Sequence, residues 1–373
     1  MKYLVAGLAA AALLGGCGSG SNPFEGDAPA EPTDTTTEDP NIDPTDPNVD
    51  VNSRFLFDTG QDLTMNSVTF DEVNNQLIIN NLPFDGPEQI YDNIGSRNEA
   101  EFFASRKTPT TGRIQHYAVF VKRDDLEATA AAGAEWGDFG FGGANIKRDS
   151  FNLPANGEYV YTGVYAGVRT FDDRTGLHLV TGDAELLLDI NDLDPAAGLQ
   201  GNIVGSVSNR TRTLPDGTAL AGLPNLILNS VTFNTETGVF EGGTANTFTP
   251  DGNIRDNGSY EGLIAGVNGE EIGALTLIEG VAELQTVSFE TVEFEVVTPT
   301  GTTTGTANAL TPEARVTVQA LVDAGFETPV VRVQAADLPT GAVITSTTID
   351  TQEFRSDFNA RELGVIGADQ VIP

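Results

Sequence analysis

The chain has two histidines, His116 and His178, the side chains whose ordinary pKa lies near neutrality, so a zinc site completed by carboxylates would begin with them. Each stands inside an apolar run, Ile114-Gln-His-Tyr-Ala-Val-Phe-Val121 and Leu177-His-Leu-Val180, where a histidine can equally be a packed strand residue. Carboxylates are plentiful, 54 in all, and three groups stand out: Asp172-Asp173, Asp189 with Asp192 and Asp194, and Asp251 with Asp256. Two converging carboxylates could perform glycosidic acid and base chemistry. Acids in such company also supply the backbone angles of hairpin turns. Gly-x-Ser-x-Gly, Walker, dinucleotide-fingerprint and His-Glu-x-x-His motifs are all missing from the sequence. The sequence therefore points to no catalytic residue, no metal and no cofactor, and to a protein that is not an enzyme.

Two further stretches carry recognition or attachment chemistry. Glu135-Trp-Gly-Asp-Phe-Gly-Phe-Gly-Gly143 concentrates aromatics and glycine, so Trp136, Phe139 and Phe141 can either be offered to a ligand or cover a sheet edge. At the amino terminus, Lys2 precedes an apolar run from Tyr3 to Leu14, which ends in Leu14-Gly-Gly-Cys17 at the only cysteine. A basic start, a short apolar core and small residues before the break are the parts of a secretory signal. Ending in that cysteine, it looks like a bacterial lipobox, which implies cleavage after Gly16 and lipid attachment to Cys17. Several acyl chains would hold the chain to a membrane where one would be marginal. Gly18 in place of Asp resembles lipoproteins sent on to the outer membrane.

The elements that must position these residues are mostly strands. After the signal (1–16), residues 17–52 are rich in Pro, Thr and Asp and almost free of apolar groups, so they read as a disordered acidic tether. Residues 53–151 read as a β-rich segment. It contains a hairpin over Leu63–Leu82 that turns at Asp71–Asn75, strands at Ala100–Ala104 and Gly112–Val121, and a short Ala-rich helix over Asp124–Ala132. Asn66-Ser-Val-Thr-Phe70 recurs as Asn229-Ser-Val-Thr-Phe233, one hairpin solution used twice.

From Gly157 to Ile278 seven short strands follow at even spacing, several interrupted by glycine, which favours a bent, closed sheet. Ala282–Val297 is expected to close it, giving a barrel over 152–298. Inward positions at Val160, Leu186, Leu188, Ile203, Leu226, Phe240 and Ile272 would fill a small barrel. Thr300–Thr306 reads as a linker. The remainder (299–373) reads as an α+β extension, with a helix over Thr311–Gly325 and strands over Thr328–Gln334 and Ala342–Ile349.

Tyr159-Val-Tyr-Thr-Gly-Val-Tyr-Ala-Gly167, Thr181-Gly-Asp-Ala-Glu-Leu186, Phe240-Glu-Gly-Gly-Thr-Ala245 and the stretch Gly258–Ala274, preceded by the leader and acidic tether, resemble the transferrin-binding-protein-like surface lipoproteins. The family's pattern Gly-x-Phe-Tyr-Gly-Pro-x-Ala-x-Glu-x-Gly-Gly is met in part by Gly262-Leu-Ile-Ala-Gly266 and Glu270-Glu-Ile-Gly273. Leu263 and Ile264 replace its aromatics, and Val267 replaces its proline. The resemblance spans Ser53 to Gly280. It implies an antiparallel up-and-down barrel of about eight strands beside a β-rich handle.

With 19 Lys and Arg against those acids, the formal charge is -35, which repels nucleic acid. The expectation is an all-β, outer-membrane-anchored lipoprotein that is not an enzyme and binds a protein or metal-complex partner through barrel and handle loops. Two alternatives stand beside it: a lipocalin-like carrier with a small molecule inside the barrel, and a structural envelope component.

Overall fold

The computed structural model describes residues 50–83, 88–106, 115–133, 138–172, 174–194, 198–299, 301–309, 326–327, 342–356 and 358–371. Cys17, the tether up to residue 49, Trp136, and the helix and strand expected over 311–325 and 328–334 lie outside these. Regular structure among the described residues is strand, apart from one 3-10 turn at Thr59–Gln61.

The first sheet contains β1 (Ser53–Leu56), β2 (Ser67–Asp71), β3 (Gln76–Asn80), β4 (Gln89–Arg97), β5 (Ala100–Ser105), β6 (His116–Lys122), β7 (Leu126–Gly133) and β8 (Phe141–Arg148). Its order is β1-β8-β7-β6-β5-β4-β3-β2, every neighbour antiparallel. Strand β7 replaces the helix expected over Asp124–Ala132. Alanine favours helix intrinsically, but a helix of that length is marginal alone and yields to tertiary context. Here the context requires small side chains on both faces. Ala128, Ala130 and Ala132 are buried against the barrel wall with Val164, Val168 and Leu363, while Ala131 packs on the other face with Phe120 and Met65.

The barrel is formed by β9 (Gly157–Phe171), β10 (His178–Asp194), β11 (Gly198–Thr213), β12 (Leu226–Thr232), β13 (Val239–Phe248), β14 (Ile254–Ala265), β15 (Glu271–Val281) and a last strand, β20 (Asn359–Gln370). Each pair is antiparallel, and β20 closes the cylinder between β15 and β9. The closing strand is thus not 282–297. After Val281 the chain leaves the barrel to form a four-stranded sheet, β17-β16-β19-β18, from β16 (Leu284–Thr298), β17 (Gly301–Ala309), β18 (Phe326–Glu327) and β19 (Ala342–Ser356). Strands β16 and β19 continue the β15/β20 ladder, from Val281↔Asn359 to Leu284↔Arg355. The break between them is sewn by backbone bonds from Ser356 N to Glu283 O (3.0 Å) and from Ala282 N to Phe358 O (3.3 Å). This sheet is therefore an arm grown from one barrel hairpin. Residues Gly301–Thr306 of the expected linker lie within β17, and the regular structure of the described part of 299–373 is strand, the expected helix lying outside the described residues.

Aromatic rings fill the lumen together with Leu186, Leu188, Ile203, Leu226 and Ile272. Val160 does not join them: it is 41% exposed, and its neighbours Tyr159 and Tyr161 take the inward positions. Glycines on the strands lie under the rings: a Cβ at Gly243 would strike the Tyr260 ring, and one at Gly364 the Tyr165 ring. A strand interior loses stability with glycine unless backbone and ring must approach this closely. Outside, the handle sheet is held to the barrel by Arg148, which donates to the carbonyls of Ile264 (2.6 Å) and Thr237 (2.7 Å).

Candidate functional site

Polar side chains gather at the end of the barrel from which the arm grows. Arg169 on β9, Arg210 and Arg212 on β11, Arg255 and Asp256 on β14 and Glu362 on β20 all converge there. At the centre the fully buried Glu362 carboxylate accepts from Tyr165 Oη (2.5 Å), Arg210 Nη2 (2.5 Å) and Arg169 Nη1 (3.2 Å). Arg169 Nη2 reaches the carbonyls of Val281 (3.3 Å) and Ala282 (3.2 Å) at the arm junction, and Arg210 Nη1 that of Pro224 (2.8 Å). Burial by itself would raise the Glu362 carboxyl, but Arg210 and Arg169 outweigh it and hold the group at about 2. With three donors on it and its pKa so low, this carboxylate is a weak proton acceptor.

Above this plug the rim opens into a recess of about 370 Å³, lined by Phe171, Arg174, His178, Arg212, Glu283 and Phe358 among others. Arg212 is fixed by a double ion pair to Glu283 and by the carbonyl of Ala221 (2.6 Å). Phe171 stands edge-on to His178 (4.8 Å between ring centres) and to Phe358 (5.8 Å), and the exposed Arg174 lies 4.9 Å over the Phe358 ring. Burial, reinforced by the cations Arg212, Arg169 and Arg174, lowers His178 to about 4, so its imidazole is neutral at physiological pH. A second hollow, of about 590 Å³, shares Thr175, Gly176, Leu177 and Leu214 with the recess and runs out to Gln115 and Tyr117 of the handle. Five arginines (169, 174, 210, 212 and 255) meet the acids Asp256, Glu283 and Glu362 at this end, with Asp172 and Asp216 on the adjoining turns.

The residues singled out from sequence are placed as follows. His116 lies in the handle core with its ring against Gly133, and burial lowers it to about 4; His178 is on the barrel, so the two stand on different sheets. No cluster of three metal-ligating side chains forms among the described residues. Phe139 adopts a left-handed backbone (φ 42°), and its ring is a platform for the Arg361 guanidinium at 4.6 Å. Phe141 begins β8, opposite Gly133. The Phe139 ring therefore stands beside the strand end that carries Arg361 and Glu362. Of the carboxylates, Asp172 accepts from Asn359 at the start of the closing strand, and Asp251 sits in the β13–β14 turn. Asp256 is different: it is a buried strand residue bonded to Thr247 rather than a turn residue.

Sequence reasoning missed Glu362, Arg169, Arg210, Arg174 and Phe358. A signal for the central acid was present: Glu362, Gly364, Ile366 and Ala368 alternate as one inward face, so the carboxylate falls in phase with core residues. No protein-family model matches the chain, and no curated protein matches it either.

Proposed function

We propose that this is a non-enzymatic binding protein, lipid-anchored through Cys17 in the outer membrane, that engages a protein or metal-complex partner at the arm-side rim of its barrel. The observation that carries the reading is the rim recess, where the exposed Arg174 and the half-buried Phe358 stand beside the buried Phe171 on an otherwise strongly acidic chain. Such a surface suits a flat anionic group, whether a carboxylate-bearing loop of a protein or an anionic metal chelate, since cations and aromatic faces together hold planar anions well. The filled lumen favours recognition at the rim over carriage inside the barrel. A closed barrel also gives the rim loops a rigid base, and a tether of about thirty residues gives the head tens of ångströms of reach.

The test is site-specific photo-cross-linking in intact cells, with a photoreactive residue in place of Thr175 at the recess lip. A discrete adduct that disappears when Arg174→Glu is added supports the reading. An adduct insensitive to that change, or none, rejects the rim as the binding surface. Shaving intact cells with protease, read on the same tagged chain, separates a surface-facing head from a periplasmic one.

A further inference from the structure

Strands β20, β9, β10 and β11 are neighbours in the barrel wall, and Val371, Val160, Leu187 and Val204 form one row across them. The register sets Leu187 between Val160 and Val204, and Val371 N, just past the end of β20, donates to the Val160 carbonyl (2.8 Å). The alternate residues Tyr161, Leu186, Leu188 and Ile203 fill the lumen, so the row faces outward; its members are 47%, 41%, 37% and 37% exposed. Acids border it on both sides, Glu185 in the next row toward the arm, Glu158 and Asp189 in the next row away from it. None of these three forms an ion pair among the described residues, whereas Glu241, Glu279 and Glu362 elsewhere on the barrel each meet an arginine. Single exposed apolar side chains are ordinary, but several in line with a polar border mark a surface that is covered in use.

We infer that this wall docks a basic amphipathic helix of a partner protein, laid across the strands with its apolar face on the row and Lys or Arg along both flanks. The barrel is closed and offers no strand edge, so a partner here meets side chains alone. A helix suits that condition because its backbone bonds are internal, and its advance of about 5.4 Å per turn is close to the ~4.8 Å between strands. Side chains at successive turns of one helix face therefore fall over successive members of a row roughly 14 Å long. The bordering acids select the sign of the flanks: basic residues on one side come over Glu185, and on the other over Glu158 and Asp189, whose charges the chain leaves unpaired. The same acids repel an anionic lipid surface, and they repel a second copy of this wall, which would set like charges against each other. The wall is distinct from the arm-side rim, and its occupancy involves none of the recess residues.

The experiment is fluorescence anisotropy of labelled, stapled helices of about four turns against the full mature chain, delipidated by Cys17→Ser. One helix carries a leucine stripe flanked by lysines, the second has glutamates in place of the lysines, and the third scrambles the first so that the leucines are dispersed. The expected result is saturable one-to-one binding of the lysine helix, with the other two weaker by about tenfold or more. Leu187→Glu should weaken the lysine helix by a similar factor, since it puts a charge into the apolar seam. Glu185→Lys with Asp189→Lys should shift the preference to the glutamate helix. Arg174→Glu, at the recess, should leave the binding unchanged. All three wall positions are exposed or half-buried, so the thermal unfolding midpoint should hold in each variant. No saturable binding, equal binding of the scramble, or a lysine helix indifferent to Leu187→Glu overturns the inference. So does a wild-type chain that dimerises in sedimentation, or that binds phosphatidylcholine vesicles, in a manner lost in Leu187→Glu, since the row then belongs to a second copy or to lipid.

Discussion

Glu362 ties the closing strand into the barrel, because it joins that strand to β9 through Arg169 and Tyr165 and reaches across the lumen to β11 through Arg210. Removing one charge from a buried set leaves the others uncompensated, at a cost of about 3–5 kcal/mol. We expect Glu362→Gln to lower unfolding stability by that amount in urea titration at neutral pH. The sign with pH follows from a depressed carboxyl. Its contribution is complete above the unfolded value of about 4.3 and is lost as pH falls from there toward about 2. The acid limb of the wild-type stability curve should therefore be steeper than that of Glu362→Gln. A variant as stable as the parent at neutral pH would show the cluster to be a passive filling. At this scale the sequence was hardest to read: an arginine in a strand looks the same whether it meets solvent or a glutamate 193 residues away, as Arg169 meets Glu362.

Among the elements, the repeated hairpin is the clearest case of local chemistry fixing local structure. In the first copy Asp71 Oδ1 accepts from Val73 N (3.0 Å) and Asn74 N (3.1 Å), and Asn75 follows at φ 51°. In the second Asn234 Oδ1 accepts from Glu236 N (2.8 Å) and Thr237 N (3.2 Å), and Gly238 follows at φ 66°. The same Asx turn and left-handed residue serve twice, as the shared Asn-Ser-Val-Thr-Phe pattern promised. The copies differ in tolerance. A Cβ at Gly238 would meet the Phe151 ring as well as strain the backbone. We expect Gly238→Ala to cost about 1–3 kcal/mol in chemical denaturation, and Asn75→Gly to change stability by only a few tenths. Equal effects at the two sites would mean that the Phe151 contact does not matter. The Ala-rich strand β7 shows the opposite relation, in which two neighbouring strands and two packed layers override what its residues prefer alone.

Over the whole molecule the dominant quantity is the charge of -35, which sets the compact state against its own repulsion. The arginines at the rim meet part of it locally. Added salt shortens the screening length from ~10 Å at 0.1 M to ~3 Å at 1 M, while buried pairs such as Glu362–Arg210 are screened far less. We therefore expect the unfolding temperature to rise with sodium chloride over that range, as followed by circular dichroism. A falling temperature would mean that exposed ion pairs such as Lys147–Glu127 (2.8 Å) contribute more than the net repulsion removes.

By itself the sequence determined seven of the barrel's eight strands, though not the strand character of β7, because alternation and turn residues are local properties. Of the inward positions it marked, all but Val160 fill the lumen, since inward positions follow from a period of two. Tertiary structure decided which strand closes the cylinder. Strands β16 and β20 both alternate, and only pairing with both β15 and β9 selects β20. It likewise decided where the charged side chains meet. Their partners lie on strands far apart in the chain, and the distances between them exist only once the sheet has curled shut.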